Sequence, residues 1–419
     1  MKTGWTVHTN KIGGEARKGP LSGVVVLDLT SVLMGPYCTQ ILADLGADVI
    51  KVESPAGDTT RQLGRSKRPG MSGMFINLNR GKRGVVLDLT KEESREVLAR
   101  LVRKSDVIIQ SNRPKATARL GIDYRSVAAM NPSIVYCNLF GFGRGGRYFG
   151  KPAYDDIIQA VSGFSRLQQE ASGVPGYIAS SVADKVCSLT AAYAIMAALL
   201  YREKTGEGQE IDVPMFETVV SFIMSQHVTN AVFDPPLGRP VYPRVISQLR
   251  RPQKTATDDI CVLIYNDKHW NRFLDIIGRP ELRTDPLYAT LAARSTNLPE
   301  FYALLDSEFV RRPAQEWISL LDDAEIPVAP LNAIDDMMSD PHLDEVGFWQ
   351  SLASGDGDLR FPGIPVTFSK TPGAITAGAP TLGEHTGEIL AELGFSEAEI
   401  GALTGERRDT QTVLEKEST

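Results

Sequence analysis

The chain has 419 residues, more than one compact core of ordinary size holds, so at about 100–200 residues per domain it divides into two. Hydrophobic residues make up 42% and charged residues 23%, the balance of a soluble globular protein. The net charge of −6 gives no global attraction to nucleic acid or to an anionic membrane. The polar opening MKTGWTVHTNKIGGEARKG lacks the apolar region of a secretory leader, and the first twenty residues read as a mobile arm.

VVVLDLT (24–30) predicts a strand, MGPYCTQILADLG (34–46) a helix and ADVIKVE (47–53) a second strand, together a βαβ unit. A strand over 84–90 follows, then a helix over 91–105 opened by Thr90 and Glu93 as a capping box. DVIIQS (106–111) and SIVYCNLFGFG (133–143) complete a run of β-branched strands separated by helices, which predicts a doubly wound α/β layer. A long helix is expected from about Lys185 to Arg202, and a short strand within 204–217. Its apolar run AAYAIMAALL (191–200) is too short to span a bilayer and reads as a buried helix.

DPPLGRPVYPR (234–244) marks a change of composition and a domain boundary. Beyond it, 258–266 reads as a strand, 268–278 as a helix and 298–320 as mostly helical. The second region ends near Phe348, and the tail closes on a helix around 385–394. The division is therefore 20–232, 233–348 and 349–419. Cys38, Cys137, Cys187 and Cys261 each fall in an apolar stretch with no CxxC. They read as buried free thiols of a reducing compartment. Five histidines, with no HExxH or paired His–Cys spacing, give a metal site no support.

A dinucleotide site is disfavoured. The turn after the first strand is SVLMGP, with Gly35 alone where a phosphate-binding turn needs G-x-G-x-x-G. The GFGRGG run (141–146) does not lead directly into a helix, and no Walker A sequence occurs.

Several segments in order carry a family resemblance: 20–61 (PLSGVVVLDLT through AGDTTR), FINLNRGKRGVVLDLTKEE (75–93), RPKATARLGIDY (113–124) and 131–163 with GFGRGGRYFGKPAYDD. To these are added 182–217, opening VADKVCSL, then YNDKHWNRFLDIIGRPEL (265–282) and LGEHT (382–386). Together they resemble the class III coenzyme A transferases, which include formyl-CoA and carnitine-CoA transferases and share a fold with α-methylacyl-CoA racemase. The resemblance implies a Rossmann-like large domain built from both chain ends, a smaller inserted α+β domain, and an interlocked homodimer in the cytoplasm. It implies CoA and acyl-CoA as substrates with a small organic acid as acceptor, and no tightly bound cofactor, nucleic acid or membrane.

The resemblance assigns Asp184 as the nucleophile; read without it, an aspartate at the start of a long helix is a cap. Asp155 matches an acidic position beside that nucleophile, and Asp156 points elsewhere. For CoA the resemblance implies Val32 and Leu33 along its path, and Arg61, the basic turn Arg80, Lys82 and Arg83, Arg119 and Lys151 as cationic contacts. Family members often have asparagine where Ser111 stands and glycine where Lys115 stands, and Ser54 replaces a cation. The glycine run that forms a lid in some members is absent from 241–259. Arg244, Arg250 and Arg251 in that stretch are candidates for a substrate carboxylate and favour a small dicarboxylyl-CoA such as succinyl-CoA. The racemase alternative needs a histidine where Tyr154 stands, and a tyrosine, with a pKa of about 10, is a poor base at neutral pH. An isomerase that moves CoA within one molecule, an acyl-CoA hydrolase and a non-catalytic CoA-binding scaffold complete the alternatives.

Overall fold

The computed structural model describes residues 18–355 and 357–405; the expected arm falls largely outside them. The chain forms two compact units. Unit 1 takes the described residues up to Ser162, Ala179–Phe222 and the chain from Val346 onward; unit 2 is Gly163–Ile178 and Ile223–Glu345. These limits differ from the expected 233 and 348, and they transfer a helix, Phe164–Ser172, to unit 2. Within that unit Glu170 pairs with Arg239 at 2.9 Å, and Gly173 lies against the side chain of Gln248.

Unit 1 is built on six parallel strands: β1 (Val25–Leu29), β2 (Asp48–Glu53), β3 (Arg83–Val86), β4 (Val107–Gln110), β5 (Val135–Phe140) and β6 (Gln209–Pro214), in the order β3-β2-β1-β4-β5-β6. In β1, β4 and β5 every residue is buried, as expected of strands covered by helices on both faces. Val25, Leu27, Ile50, Val85, Ile108 and Tyr136 join one continuous core with Val97 and Leu101 of the helix Glu93–Lys104 and Ile389 of the helix Thr386–Glu392. Each fully buried aliphatic side chain of this kind contributes about 1.5–3 kcal/mol. The strand order reverses between β1 and β4, the place where open α/β sheets bind ligands beyond the carboxyl ends of their strands.

The expected long helix runs Val182–Thr205 and is long and apolar enough, by length and composition, to cross a membrane. In unit 1 it packs on one side against the helix Met34–Asp44 and against β5 and β6, and the run 191–200, expected to be buried, is so only in part: Ala191, Ala192, Ile195 and Ala198 are buried, whereas Tyr193 and Leu200 are exposed. The capping box at Thr90 and Glu93 does not form. Thr90 turns instead to Asp88, donating from its hydroxyl at 2.6 Å, and the helix starts with no side-chain cap. The capping box lies at Ser396 and Glu399, opening a helix Glu397–Thr404 that the sequence reading had not placed. Two further strands of the returning tail, β10 (Trp349–Leu352) and β11 (Leu359–Pro362), pair antiparallel.

Unit 2 has a three-stranded antiparallel sheet, β7 (Gln253–Lys254), β8 (Asp259–Val262) and β9 (Val328–Pro330), in that order. Its core is aromatic: Trp270, Phe273, Phe309 and Trp317 are buried together, with Phe309 and Trp317 ring centroids 4.7 Å apart. Cys38, Cys137 and Cys187 are buried, whereas Cys261 is exposed. It stands on the three-stranded sheet with its side chain turned from the apolar face that buries Ile260.

Candidate active site

A cleft of about 220 Å³ opens in unit 1 beyond the carboxyl ends of β1, β4 and β5. Ser31–Met34 follow β1, Ser111–Pro114 follow β4, and Gly141 and Phe142 follow β5; Lys151, Tyr154 and Asp184 complete the wall. Two close approaches shape it. A Cβ on Gly35 would sit 2.2 Å from the Thr30 side chain, so only glycine lets the helix Met34–Asp44 begin so near the end of β1. Val32 has φ of 70°, a left-handed conformation that is strained for a β-branched residue. It is stationed between β1 and that helix, where its N–H points to Asp58 at 3.3 Å. The helix itself begins without a side-chain cap.

Asp184 lies in the first turn of the helix Val182–Thr205. It does not cap that helix. Asp155 does so from the start of a separate helix, Asp155–Val161, its Oδ1 accepting the backbone N–H groups of Ala183 at 2.7 Å and Asp184 at 3.1 Å. Gln159 donates to the other oxygen of Asp155 at 2.6 Å. Among the described residues no hydrogen bond or ion pair reaches the Asp184 carboxylate. Burial, then the charges of Asp155 and Asp156, push its pKa up to about 7. A carboxyl group so placed is half ionised near neutrality and more basic than an ordinary aspartate. Asp156 is therefore exposed but not electrostatically remote from it.

The long helix is tied to the cleft by Ser188, whose hydroxyl contacts the carbonyls of Met34 at 2.6 Å and Asp184 at 2.7 Å. The loop after β5 is held by Glu217, which accepts the Gly143 N–H at 3.0 Å. Tyr154 precedes Asp155, is 70% exposed and lines the cleft.

Of the sequence candidates, the structure brings Val32, Leu33, Lys151 and Asp184 together in this cleft, with Asp155 buried behind Asp184. It does not bring the other cations there. Arg61 is buried in a two-pronged pair with Glu53, at 2.8 and 2.6 Å, with its guanidinium 3.8 Å from the Phe75 ring centroid. Arg80 pairs with Asp44 at 2.7 Å, and Arg83 with Asp48 at 2.7 Å and Glu392 at 2.9 Å. Lys82 is fully enclosed, donating to Asp28 and the Pro36 carbonyl at 3.0 Å and to Asn79 at 2.9 Å. These four charges are spent inside the fold, because breaking a buried pair costs about 3–5 kcal/mol. Burial pushes the Asp28 carboxyl up, but Lys82 and Lys51 more than offset it and hold it at about 2. Arg119 is exposed on the helix Pro114–Leu120 and does not line the cleft. Arg244, Arg250 and Arg251 surround a separate cavity of unit 2.

Arg113 was missed by the sequence reading. It lines the cleft where β4 ends, and among the described residues no acidic side chain pairs with it. The signal was its place three residues after a buried strand and just before Pro114, which starts the next helix.

Residues 21–386 match the model of the CoA-transferase family III. The chain is 34% identical to the succinate–glutarate CoA-transferase of Agrobacterium fabrum, over 90% of this chain and 96% of that protein. It is 30% identical to the succinyl-CoA:mesaconate CoA-transferase of Haloarcula hispanica, over 90% and 97%. A CAIB/BAIF family protein from Brucella suis has a similar crystal structure, with a TM-score of 0.77 at 31% identity, covering 90% of this chain and 100% of that one. Parallel sheet, cleft and sequence agree: the chain belongs to CoA-transferase family III.

Proposed function

We propose that this CoA-transferase moves coenzyme A from a small dicarboxylyl-CoA such as succinyl-CoA to a free carboxylic acid, through covalent intermediates on Asp184. The single observation that carries the reading is the Asp184 carboxylate, which faces the cleft without a partner while its backbone is held by Asp155. A carboxylate oxygen of Asp184 attacks the thioester carbonyl; the C–S bond breaks and leaves an acyl–aspartyl anhydride and CoA thiolate. The thiolate attacks the aspartyl carbonyl, releasing the first acid and leaving an aspartyl–CoA thioester. The acceptor carboxylate attacks that thioester, re-forming an anhydride, and the freed thiolate attacks its acyl carbon to give the new acyl-CoA and aspartate. No proton is consumed, and both covalent adducts stay activated, which a serine ester would not.

Arg113 and Lys151 are the cations of the cleft and take the anionic groups of the CoA thioester or of its acyl part. Val32 and Leu33 flank the uncapped start of the helix Met34–Asp44, whose free N–H groups favour an anion. The dicarboxylate class is supported by the two relatives whose names carry succinate or succinyl-CoA. A homodimer is part of the reading. It is supported by apolar side chains left exposed on unit 1, with Tyr193 61% and Leu200 58% exposed on the long helix. Three buried free thiols accord with a reducing cytoplasm.

The test is a panel of acyl-CoA donors against free acids, with 2-deuterated 2-methylacyl-CoA included. Transfer from succinyl-CoA supports the reading. Loss of the α-deuterium with no transfer to any carboxylate would establish racemase chemistry in its place.

A further inference from the structure

Gln110 ends β4, and Asn138 is its register partner on β5. Both are buried, at 0% and 2% exposure. Two residues earlier on the same face of each strand, Ile108 and Tyr136 belong to the apolar core. A strand of a parallel sheet covered on both faces has little use for a carboxamide. Here two of them replace the apolar row where the strands approach the cleft, and a buried polar network of this kind specifies one arrangement only when every member is satisfied.

The orientation of each amide follows from β6. Asp212 is the register partner of Asn138, and Glu210 lies two residues before it on the same face. Arg144 pairs with both carboxylates. Asn138 Nδ2 donates to Glu210 at 2.8 Å and to Asp212 at 2.9 Å. Carboxylates paired in this way only accept, so the nitrogen of Asn138 has to face β6 and its oxygen β4. Gln110 must answer with a donor, and its Nε2 reaches Asn138 Oδ1 at 2.6 Å. That leaves Gln110 Oε1 as an acceptor for the Asn112 N–H, at 2.6 Å.

The loop after β4 is thereby fixed on both sides of Arg113. Ahead of it, the Asn112 N–H is tied to Gln110. Behind it, the Arg113 carbonyl accepts the N–H groups of Ala116 at 2.8 Å and Thr117 at 3.1 Å, in the helix that Pro114 opens. Asn112 and Arg113 line the cleft, whereas Gln110 and Asn138 do not.

We propose that Gln110 and Asn138 are positioning residues for acyl-CoA binding: their amides, oriented from Glu210 and Asp212, set the peptide ahead of Arg113 and so aim its guanidinium into the cleft. The inference rests on the reading of Arg113 as a contact for a substrate anion, and it holds whichever acid the enzyme transfers.

The test is steady-state kinetics with the best acyl-CoA donor and the acceptor acid saturating. Gln110→Met removes the acceptor and should raise KM for the donor about three- to tenfold, with kcat changed by less than about twofold. In the R113A background the same change should raise KM no further, because two changes that act through one contact do not add. E210Q/D212N, at part-exposed side chains, frees the Asn138 amide to turn over and should raise KM at least about threefold, again only when Arg113 is present. It carries the test if Q110M melts too early to assay. A wild-type KM in R113A would overturn the reading of Arg113 and this inference with it. A raised KM in R113A beside an unchanged KM in Q110M and E210Q/D212N would overturn the inference alone. So would a KM rise of equal size with and without Arg113, or a loss of kcat in place of the KM rise.

Discussion

Asp155 accepts the backbone N–H of Asp184 at 3.1 Å, so the carboxylate that starts the long helix belongs to one aspartate and the carboxylate facing the cleft to the other. The division gives each residue a different failure. Asp155→Ala removes the cap and should lower stability by about 1 kcal/mol, within a range of about 0.5–2, read as an earlier thermal transition. Asp155→Asn keeps an acceptor for the two N–H groups and removes a negative charge beside Asp184. It should keep the transition and move the acid limb of the rate profile to lower pH.

That limb is the second prediction. Asp184 must be ionised to attack, and its carboxyl titrates at about 7. With chemistry limiting, kcat/KM should therefore rise about tenfold per pH unit below 7 and level off above it. The sign for stability is opposite. The folded carboxyl is raised above its unfolded value, so between about 4 and 7 the folded state binds more protons and this group's contribution falls as pH rises. D184N should gain stability over the wild type on going from pH 5 to pH 8, measured as the difference in Tm between the two proteins.

The buried cations should act on folding and not on substrate. Lys82→Met strands Asp28 without its nearest counter-charge, at 3.0 Å in the wild type, and should cost about 3–5 kcal/mol. The double change D28N/K82M should recover a large part of that loss. Denaturant titration measures both, and a KM effect on acyl-CoA without a stability effect would restore Lys82 to the binding list.

Arg113 and Lys151 should show the converse behaviour. A charge-assisted hydrogen bond to a substrate anion is worth about 1.5–3 kcal/mol. Arg113→Ala and Lys151→Ala should each raise KM for acyl-CoA by about 10–100-fold, with Tm unchanged. Steady-state kinetics with the acceptor acid saturating separates KM from kcat.

What the sequence disclosed follows from how local each signal is. β1, β2, β4 and β5 were legible because a strand buried on both faces must be a continuous β-branched run, and Asp184 because its neighbourhood VADKVCSL carries a resemblance. The role of Lys82 was not legible. Its partner Asp28 lies 54 residues away, on a strand separated from β3 by β2, and no spacing rule connects them. The cap on the long helix was hidden for the same reason, since Asp155 reaches Asp184 from 29 residues upstream. Thr90 failed as a cap because Asp88, two residues back, offered its hydroxyl a nearer acceptor. Arg113 went unread because an arginine before proline looks like any turn until β4 delivers it to the cleft.

The central claim is that CoA becomes covalently attached to Asp184. The direct measurement is to mix the protein with succinyl-CoA without acceptor, quench in acid, digest, and weigh the peptides. The account predicts that the peptide containing Asp184 carries the mass of CoA less water, and that D184N carries none while its transfer rate falls by at least about 10³-fold. An unmodified Asp184 peptide under turnover, together with transfer activity retained in D184N, would contradict it.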